Sequence, residues 1–374
     1  MKEDFDKLYR SRRNSVCAFM KEQNIAAALF EDSEMQRSPA VRYLTGHPMD
    51  ALLVLLDSGK SVLVPWDENL AKEKAHADET VPSEQFGRSY ARAAAEILGS
   101  GNGRTVCVSP EIPFCQFRDY SGRLEGWAVC ADEHKAHSFV QELRAVKDSY
   151  EIECTRKAAS ITDEMTELII AKVRSGEIQT EADAALFAER ELRLLGAERT
   201  SFDTLAAGPE RSFAIHAFPG YTNGAWACEG ISILDYGVCY EGYASDCTVT
   251  IAKGHLSREQ NELLDLVQEA ADECVKLYRP NEKILNAVRK ADEIFARANR
   301  KMPHGLGHGT GLEIHENPFV SMRAGENDVF KAGNIITLEP GLYDKELGGV
   351  RLENDVLITE DANEVLTHSR IFRL

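Results

Sequence analysis

Two aspartates set inside one apolar hairpin constrain this chain more than any other feature of its sequence. In residues 231–251, ISILDYGVCYEGYASDCTVTI, Ile231, Ile233 and Leu234 precede Asp235, Val249 and Ile251 follow Asp246, and Glu241-Gly242 between them suits a tight turn. A two-residue loop there places Asp246 opposite Gly237 and Asp235 one diagonal away on the same face, roughly 7 to 8 Å off. A three-residue loop would send the two acids to opposite faces. Carboxylates sharing a dry face repel each other unless cations lie between them or one takes a proton. The hairpin therefore asks for metal or for protonation, or else it is a solvated hairpin end.

Three further segments weigh against the solvated alternative. Residues 304–316, HGLGHGTGLEIHE, hold His304, His308 and His315 in a glycine-rich run where the chain can approach a ligand closely. In ITLEPG (336–341), Glu339 ends a strand-like run and is followed at once by Pro340-Gly341. In GVRLEND (349–355), Glu353 reads as part of a strand, with Arg351 two residues earlier on the same face. Free carboxylates are expensive inside such apolar runs. Asp235, Asp246, His308, Glu339 and Glu353 together supply four carboxylates and one imidazole, suited to Mn²⁺, Co²⁺ or Fe²⁺ rather than to a thiolate-seeking ion. Shared acids imply two ions, and ions roughly 3.5 to 4 Å apart hold a hydroxide and stabilise the oxyanion formed when it attacks a carbonyl.

At 374 residues the chain has room for two domains, and 43% hydrophobic with 28% charged residues describe an ordinary soluble protein. The N-terminus is charged from its second residue, and no stretch approaches the roughly 20 apolar residues of a membrane span. Nine scattered cysteines without a CxxC pair suit a reducing compartment, so the expected state is free thiols and the expected location cytoplasmic. A net charge of -18 repels phosphate backbones and speaks against nucleic-acid binding. Part of that charge belongs to the candidate metal site itself.

Along the chain, residues 4–22 read as a helix, 25–29 as a strand, ALLVLL (51–56) and SVLVP (61–65) as a hairpin, 89–98 as a helix and TVCVS (105–109) as a strand. The glycines of GSGNGR (99–104) have a helix before them and a strand after, the reverse of a dinucleotide loop's context, and read as a plain turn. From Glu142 a single helical composition runs through LRAVKDSYEIECTRKAASITDEMTELIIAKV, with a domain boundary expected near residue 140. Thr180 with Asp183 opens a helix to Leu195, and strand-like material follows in SFDTLAAGP and FAIHAFPG. Ser257 with Gln260 opens a helix that stops at Pro280, and 282–299 form another. Two helices then strands, twice over, is the order of a pseudo-symmetric α+β domain standing behind an α/β one.

The motifs LDYG (234–237), SDCT (245–248), GHGTG (307–311), LEPG (338–341) and VRLEN (350–354) make the chain similar to the pita-bread metallopeptidases. That family comprises Xaa-Pro aminopeptidases, prolidases, methionine aminopeptidases and creatinases. The resemblance covers essentially the whole chain. Residues 1–140, with VRYLTG at 41–46, look like the creatinase/prolidase N-terminal domain that methionine aminopeptidases lack, and residues 141–374 like the pita-bread catalytic domain. The implied fold is α+β, a pita-bread catalytic domain preceded by a smaller α/β domain.

By the same resemblance Asp235 would chelate one metal, Asp246 and Glu353 would bridge two, and His308 with Glu339 would complete the second. Glu339 would also shuttle the proton. His216 and His315 would hold the substrate carbonyl and stabilise the tetrahedral intermediate, with His304 in the same region, while Arg351 would orient the bridging acids or a substrate carboxylate. One departure stands out: relatives often carry proline before the histidine matched by His216, whereas here Ile215 precedes it and HAFPGYTNGAW follows. The expected activity is hydrolysis of the bond between an N-terminal residue and a following proline by a hydroxide between two divalent ions, Mn²⁺ first, with Co²⁺, Fe²⁺ or Zn²⁺ as alternatives. The expected partners are a small peptide and a second copy in a homodimer. An aminopeptidase accepting longer peptides is preferred over an Xaa-Pro dipeptidase, because only Arg351 and the more distant Arg211 offer themselves as anchors for a free carboxylate. A creatinase-like amidinohydrolase or a non-catalytic binding protein would be expected to have lost ligands.

Overall fold

The computed structural model describes residues 4–374, which separate into two compact units divided between Arg144 and Ala145. The first is organised on a six-stranded sheet of β1 (Ala27–Asp32), β2 (Ala51–Leu56), β3 (Ser61–Pro65), β4 (Glu79–Thr80), β5 (Thr105–Cys107) and β6 (Ala128–Cys130), in the order β4-β3-β2-β1-β5-β6. Continuous apolar runs in β2 and β3 leave both strands buried along nearly their whole length, as expected when both faces are covered. Leu52, Val54, Val62 and Val64 share one core with Ala27, Leu29, Ala93 and Val106. Ser38-Pro39 starts the helix Pro39–Thr45: proline is tolerated in a first turn, and Gly46 at φ 79° ends it.

The second unit begins at a break that helical composition concealed. In place of one helix from Glu142, the helices Ala136–Ala145 and Ser149–Ser175 are separated by three residues. Asp148 accepts the Glu151 N–H while the Glu151 side chain accepts that of Asp148, a complete capping box. Lys147 leaves the helical path altogether. Its N–H donates to the Gly333 carbonyl and its ammonium, fully buried, reaches Glu316 at 2.7 Å. A buried ammonium needs its counter-charge, and that long-range requirement outweighs local helix propensity.

Two helix pairs then cover two sheets. Ser149–Ser175 and Glu181–Leu194 pack through Ile161, Met165, Ala184 and Ala188 against Leu234, Tyr236 and Val249. Arg258–Cys274 and Ile284–Ala296 pack through Leu264, Val267, Val288 and Phe295 against Leu306, Ile336 and Val356. The strands of this unit are β7 (Arg199–Thr200), β8 (Leu205–Ala207), β9 (Gly230–Tyr236), β10 (Val238–Tyr240), β11 (Tyr243–Ala244), β12 (Cys247–Lys253) and β13 (Gly307–Gly309). They continue as β14 (Glu316–Val320), β15 (Ile335–Leu338), β16 (Gly341–Asp344), β17 (Gly348–Arg351), β18 (Asn354–Ile358), β19 (Asn363–Val365) and β20 (Ile371–Arg373). One sheet runs β20-β12-β9-β8 and another β14-β13-β15-β18-β19.

The hairpin register decides where the acids point. Glu241 and Gly242 have φ of 47° and 85°, a two-residue turn between the paired Tyr240 and Tyr243. Asp235 pairs with Thr248 and Tyr236 with Cys247, so the same ladder sets Asp246 opposite Gly237 and both acids on one face. Gly237 cannot be replaced there, since a Cβ would fall 1.9 Å from the Ser245 carbonyl oxygen. Two strand expectations give way. Residues 213–220 form an irregular loop, held by side chains rather than by a ladder, and Glu353 lies in a gap between β17 and β18, joined to β12 by a single bridge to Thr248.

Candidate active site

Four segments distant in sequence deliver the acids and His308 to one buried spot. β12 starts beside Asp246, β13 carries His308, Glu339 follows β15, and Glu353 fills the gap before β18. Asp246, His308 and Glu353 offer ligand atoms that all lie within 4.8 Å of one another. His308 Nε2 stands 3.6 Å from Asp246 Oδ2 and 3.8 Å from Glu339 Oε1. Its Nδ1 lies 3.1 Å from the Gly309 carbonyl, which can only accept, so the ring proton is on Nδ1 and the Nε2 lone pair faces the acids. That is the tautomer a metal ligand needs, oriented by a backbone acceptor.

Electrostatics alone would not gather these groups. Burial, then the charges of Glu353 and Asp235, raises the Asp246 carboxyl well above its ordinary range, and burial followed by Glu353 does the same to Glu339. Glu353 is pushed up to about 7 by burial and then by Asp235, while burial lowers His308 to about 4. Asp235 Oδ1 and Asp246 Oδ1 are buried without a hydrogen-bond partner among the described residues. Donor atoms each about 2.1 Å from one ion stand about 3 to 4 Å apart, matching the spacings around His308. The residues fit divalent ions: oxygen-rich donors, a correctly oriented imidazole, and buried acid oxygens lacking any other partner.

Arg351, 2% exposed, is spent on this frame. It donates to Asp235 Oδ2 at 2.5 Å, to Thr248 Oγ1 at 2.9 Å, to the Ile215 carbonyl at 3.0 Å and to the Tyr343 hydroxyl at 2.8 Å. Thr248 passes its own proton to Glu353 Oε2 at 2.7 Å. Tyr343, pushed up to about 12 by burial, stands 3.0 Å from His304 Nε2, while His304 Nδ1 faces the Gly305 carbonyl at 2.8 Å and lies 3.7 Å from Glu339 Oε2. The His304 proton therefore sits on Nδ1, with Nε2 accepting from Tyr343. His216 and His315 are exposed at this site; the His315 ring lies 4.3 Å from that of His308, and the charge of His216 bears on both His304 and His315. Arg211 is paired with Glu181 and the Pro219 carbonyl. Sequence reasoning missed Tyr343, Thr248 and Asp355, whose Oδ2 accepts the Asp246 N–H at 2.9 Å. Thr248 was findable, two residues after Asp246 on the same face of a strand; Tyr343 reaches Arg351 across the β16–β17 hairpin, a pairing that the run GLYDKELGGVR did not announce.

Residues 153–360, more than half of the chain, match the family described as metallopeptidase family M24, and residues 12–146 match the creatinase/prolidase N-terminal domain. The chain belongs to metallopeptidase family M24. It is similar to the Xaa-Pro dipeptidase of Pyrococcus furiosus, 30% identical over 364 residues that cover 96% of this chain and 98% of that protein. The Xaa-Pro dipeptidase of Pyrococcus horikoshii is 29% identical over 357 residues, covering 94% and 95%. Among solved structures, the prolidase from Pyrococcus horikoshii OT3 superposes with a TM-score of 0.83 at 25% identity, over 96% of this chain and 99% of that one. M24 architecture is thus present in full, a creatinase-type domain followed by the α+β pita-bread domain. No helix among the described residues is long and apolar enough to cross a membrane.

M24 enzymes are metallopeptidases, and here the acids bear a cost when metal is withheld. Carboxyls with raised folded pKa values hold protons that the unfolded chain has released, so stability falls as pH rises through the folded pKa. The lowered histidines act oppositely, but their contribution is complete above about pH 6.5, the unfolded value. From about pH 6.5 upward, through the value near 7 to which Glu353 is raised, the metal-free protein should therefore lose stability and melt at a progressively lower temperature. Thermal melts of chelated and metal-loaded protein check this; a metal-free Tm that is flat or rising across that window contradicts it.

Proposed function

We propose that this M24 peptidase hydrolyses Xaa-Pro dipeptides with two divalent ions held by Asp235, Asp246, His308, Glu339 and Glu353. What supports the reading is the buried Asp246, His308 and Glu353 group in a chain alike, over nearly its whole length, to two proteins named Xaa-Pro dipeptidase. Those names favour the dipeptidase over the aminopeptidase preferred from sequence. That preference rested on the shortage of free arginines, an argument about two residues only. Manganese as the ion, a homodimer and a cytoplasmic location belong to the same proposal; they rest in turn on the oxygen-rich donor set, the family resemblance and the scattered cysteines without a CxxC pair.

Divalent ions in this place supply an activated water and polarise the scissile carbonyl. The residues do the rest. Arg351 and Thr248 fix Asp235 and Glu353 so that the acids need not rearrange when substrate enters. Glu339, partly exposed at 19%, is the acid of the cluster that opens toward substrate and is placed to take a proton and return it to the departing proline nitrogen. That nitrogen carries no hydrogen in the substrate and must gain one to leave. His315 and His216, exposed beside the acids, face the carbonyl oxygen as negative charge develops on it.

Comparing kcat/KM for Ala-Pro and Ala-Pro-Ala tests the specificity. A dipeptidase should cleave Ala-Pro with the higher kcat/KM, as the names of the two similar proteins suggest. Equal or faster cleavage of the tripeptide would reinstate the aminopeptidase.

A further inference from the structure

Glu181 is another buried carboxylate of this unit, 1% exposed, and it is not among the Asp246, His308 and Glu353 group. It opens the helix Glu181–Leu194, yet that helix is already capped by Thr180 and Asp183, each accepting the other's N–H. The Glu181 carboxylate serves the loop instead. Its Oε1 accepts the Gly208 N–H at 2.8 Å. Its Oε2 accepts the Thr222 N–H at 2.8 Å and the Thr222 hydroxyl at 2.6 Å, and pairs with Arg211, which also donates to the Pro219 carbonyl. The backbone of the same helical turn adds two bonds, Glu181 N–H to the Gly224 carbonyl at 3.0 Å and Ala182 N–H to that of Thr222 at 2.9 Å. One side chain thus ties together both ends of the segment 208–224. Gly208 admits no side chain, because a Cβ would lie 2.1 Å from the Ala225 carbonyl oxygen.

What that segment carries gives the clamp its meaning. It has no ladder of its own, so its path depends on such anchors. Its middle is fixed to the acid cluster at one point, where the Ile215 carbonyl accepts from Arg351 at 3.0 Å, and the next residue is His216. A buried carboxylate left with fewer donors is costly, so the loop and Glu181 hold one another in a single arrangement.

We propose that Glu181 is a positioning residue: it closes the 208–224 loop so that His216 meets the substrate carbonyl, without touching substrate itself. This rests on the reading of His216 as a substrate-facing group. A displacement of about 1 Å at such a group costs on the order of 10²-fold in rate.

A double-mutant cycle over Glu181→Ala and His216→Ala, on metal-loaded protein with Ala-Pro, decides it. Glu181→Ala should lower kcat by on the order of 10²-fold with KM and metal content nearly unchanged. In the His216→Ala background the same change should cost less than about threefold, since there is no histidine left to misplace. Equal losses in both backgrounds, loss of metal, or an unaffected kcat would overturn the proposal while leaving the peptidase reading in place. If His216→Ala alone keeps the wild-type rate, the role of His216 falls and that of Glu181 with it. Should Glu181→Ala not accumulate folded, Thr222→Val and Arg211→Met each remove one partner of the same carboxylate and run through the same cycle.

Discussion

Asp246→Ala or Glu353→Ala should lower Ala-Pro hydrolysis by on the order of 10³-fold or more and should strip metal from the protein. Each acid is all but fully buried, and each lies within 4.8 Å of the other and of His308. Loss of a partner that merely orients a ligand costs about 10- to 100-fold in affinity or activity, and loss of a shared ligand removes more than that. The metal-free variants should nevertheless fold. Burial first and the Glu353 charge second raise the Asp246 and Glu339 carboxyls, so deleting Glu353 relieves both, and chelated Glu353→Ala should melt no lower than the chelated wild type. His315→Ala separates the two kinds of role. It should keep its metals and lose about 10²- to 10³-fold in kcat, the range for removing one donor to a developing oxyanion. Metal analysis beside kcat on the three variants checks the division, and equal metal loss in His315→Ala would break it.

The site was legible where it depended on local rules, and obscure where it depended on distant partners. The period of two in a strand and the demands of a two-residue turn at Glu241-Gly242 were enough to put Asp235 and Asp246 on one face. Cap chemistry likewise located the helices beginning at Glu181 and Arg258, each with a reciprocal capping box. The helix break at Lys147 is invisible from the run LRAVKDSYEIEC, because it is dictated by Glu316, distant in sequence. Arg351 was placed beside the acids from its spacing to Glu353. Its pairing with Asp235 and with the Thr248 hydroxyl required the β16–β17 hairpin to meet the sheet of β9 and β12, while Tyr343 reaches it across that hairpin. The apolar look of FAIHAFPG suggested a strand, whereas the segment is a largely exposed loop held by Glu181 at Gly208 and Thr222 and by Arg211 at Pro219, which no period in the sequence connects to it.

Removing the metal should abolish activity and leave the fold. The hydrophobic cores of the catalytic unit are built from apolar side chains on two helix pairs and the sheets they cover, with none of the acids among them, unlike small domains that fold only around their ion. The direct measurement is Ala-Pro hydrolysis by protein stripped with a chelator and dialysed, then titrated with Mn²⁺ or Co²⁺, with circular dichroism and bound metal followed in the same samples. The stripped protein should show native circular dichroism and negligible rate, and activity should return as about two ions per chain are taken up. Full activity in protein shown to hold no metal would contradict the account.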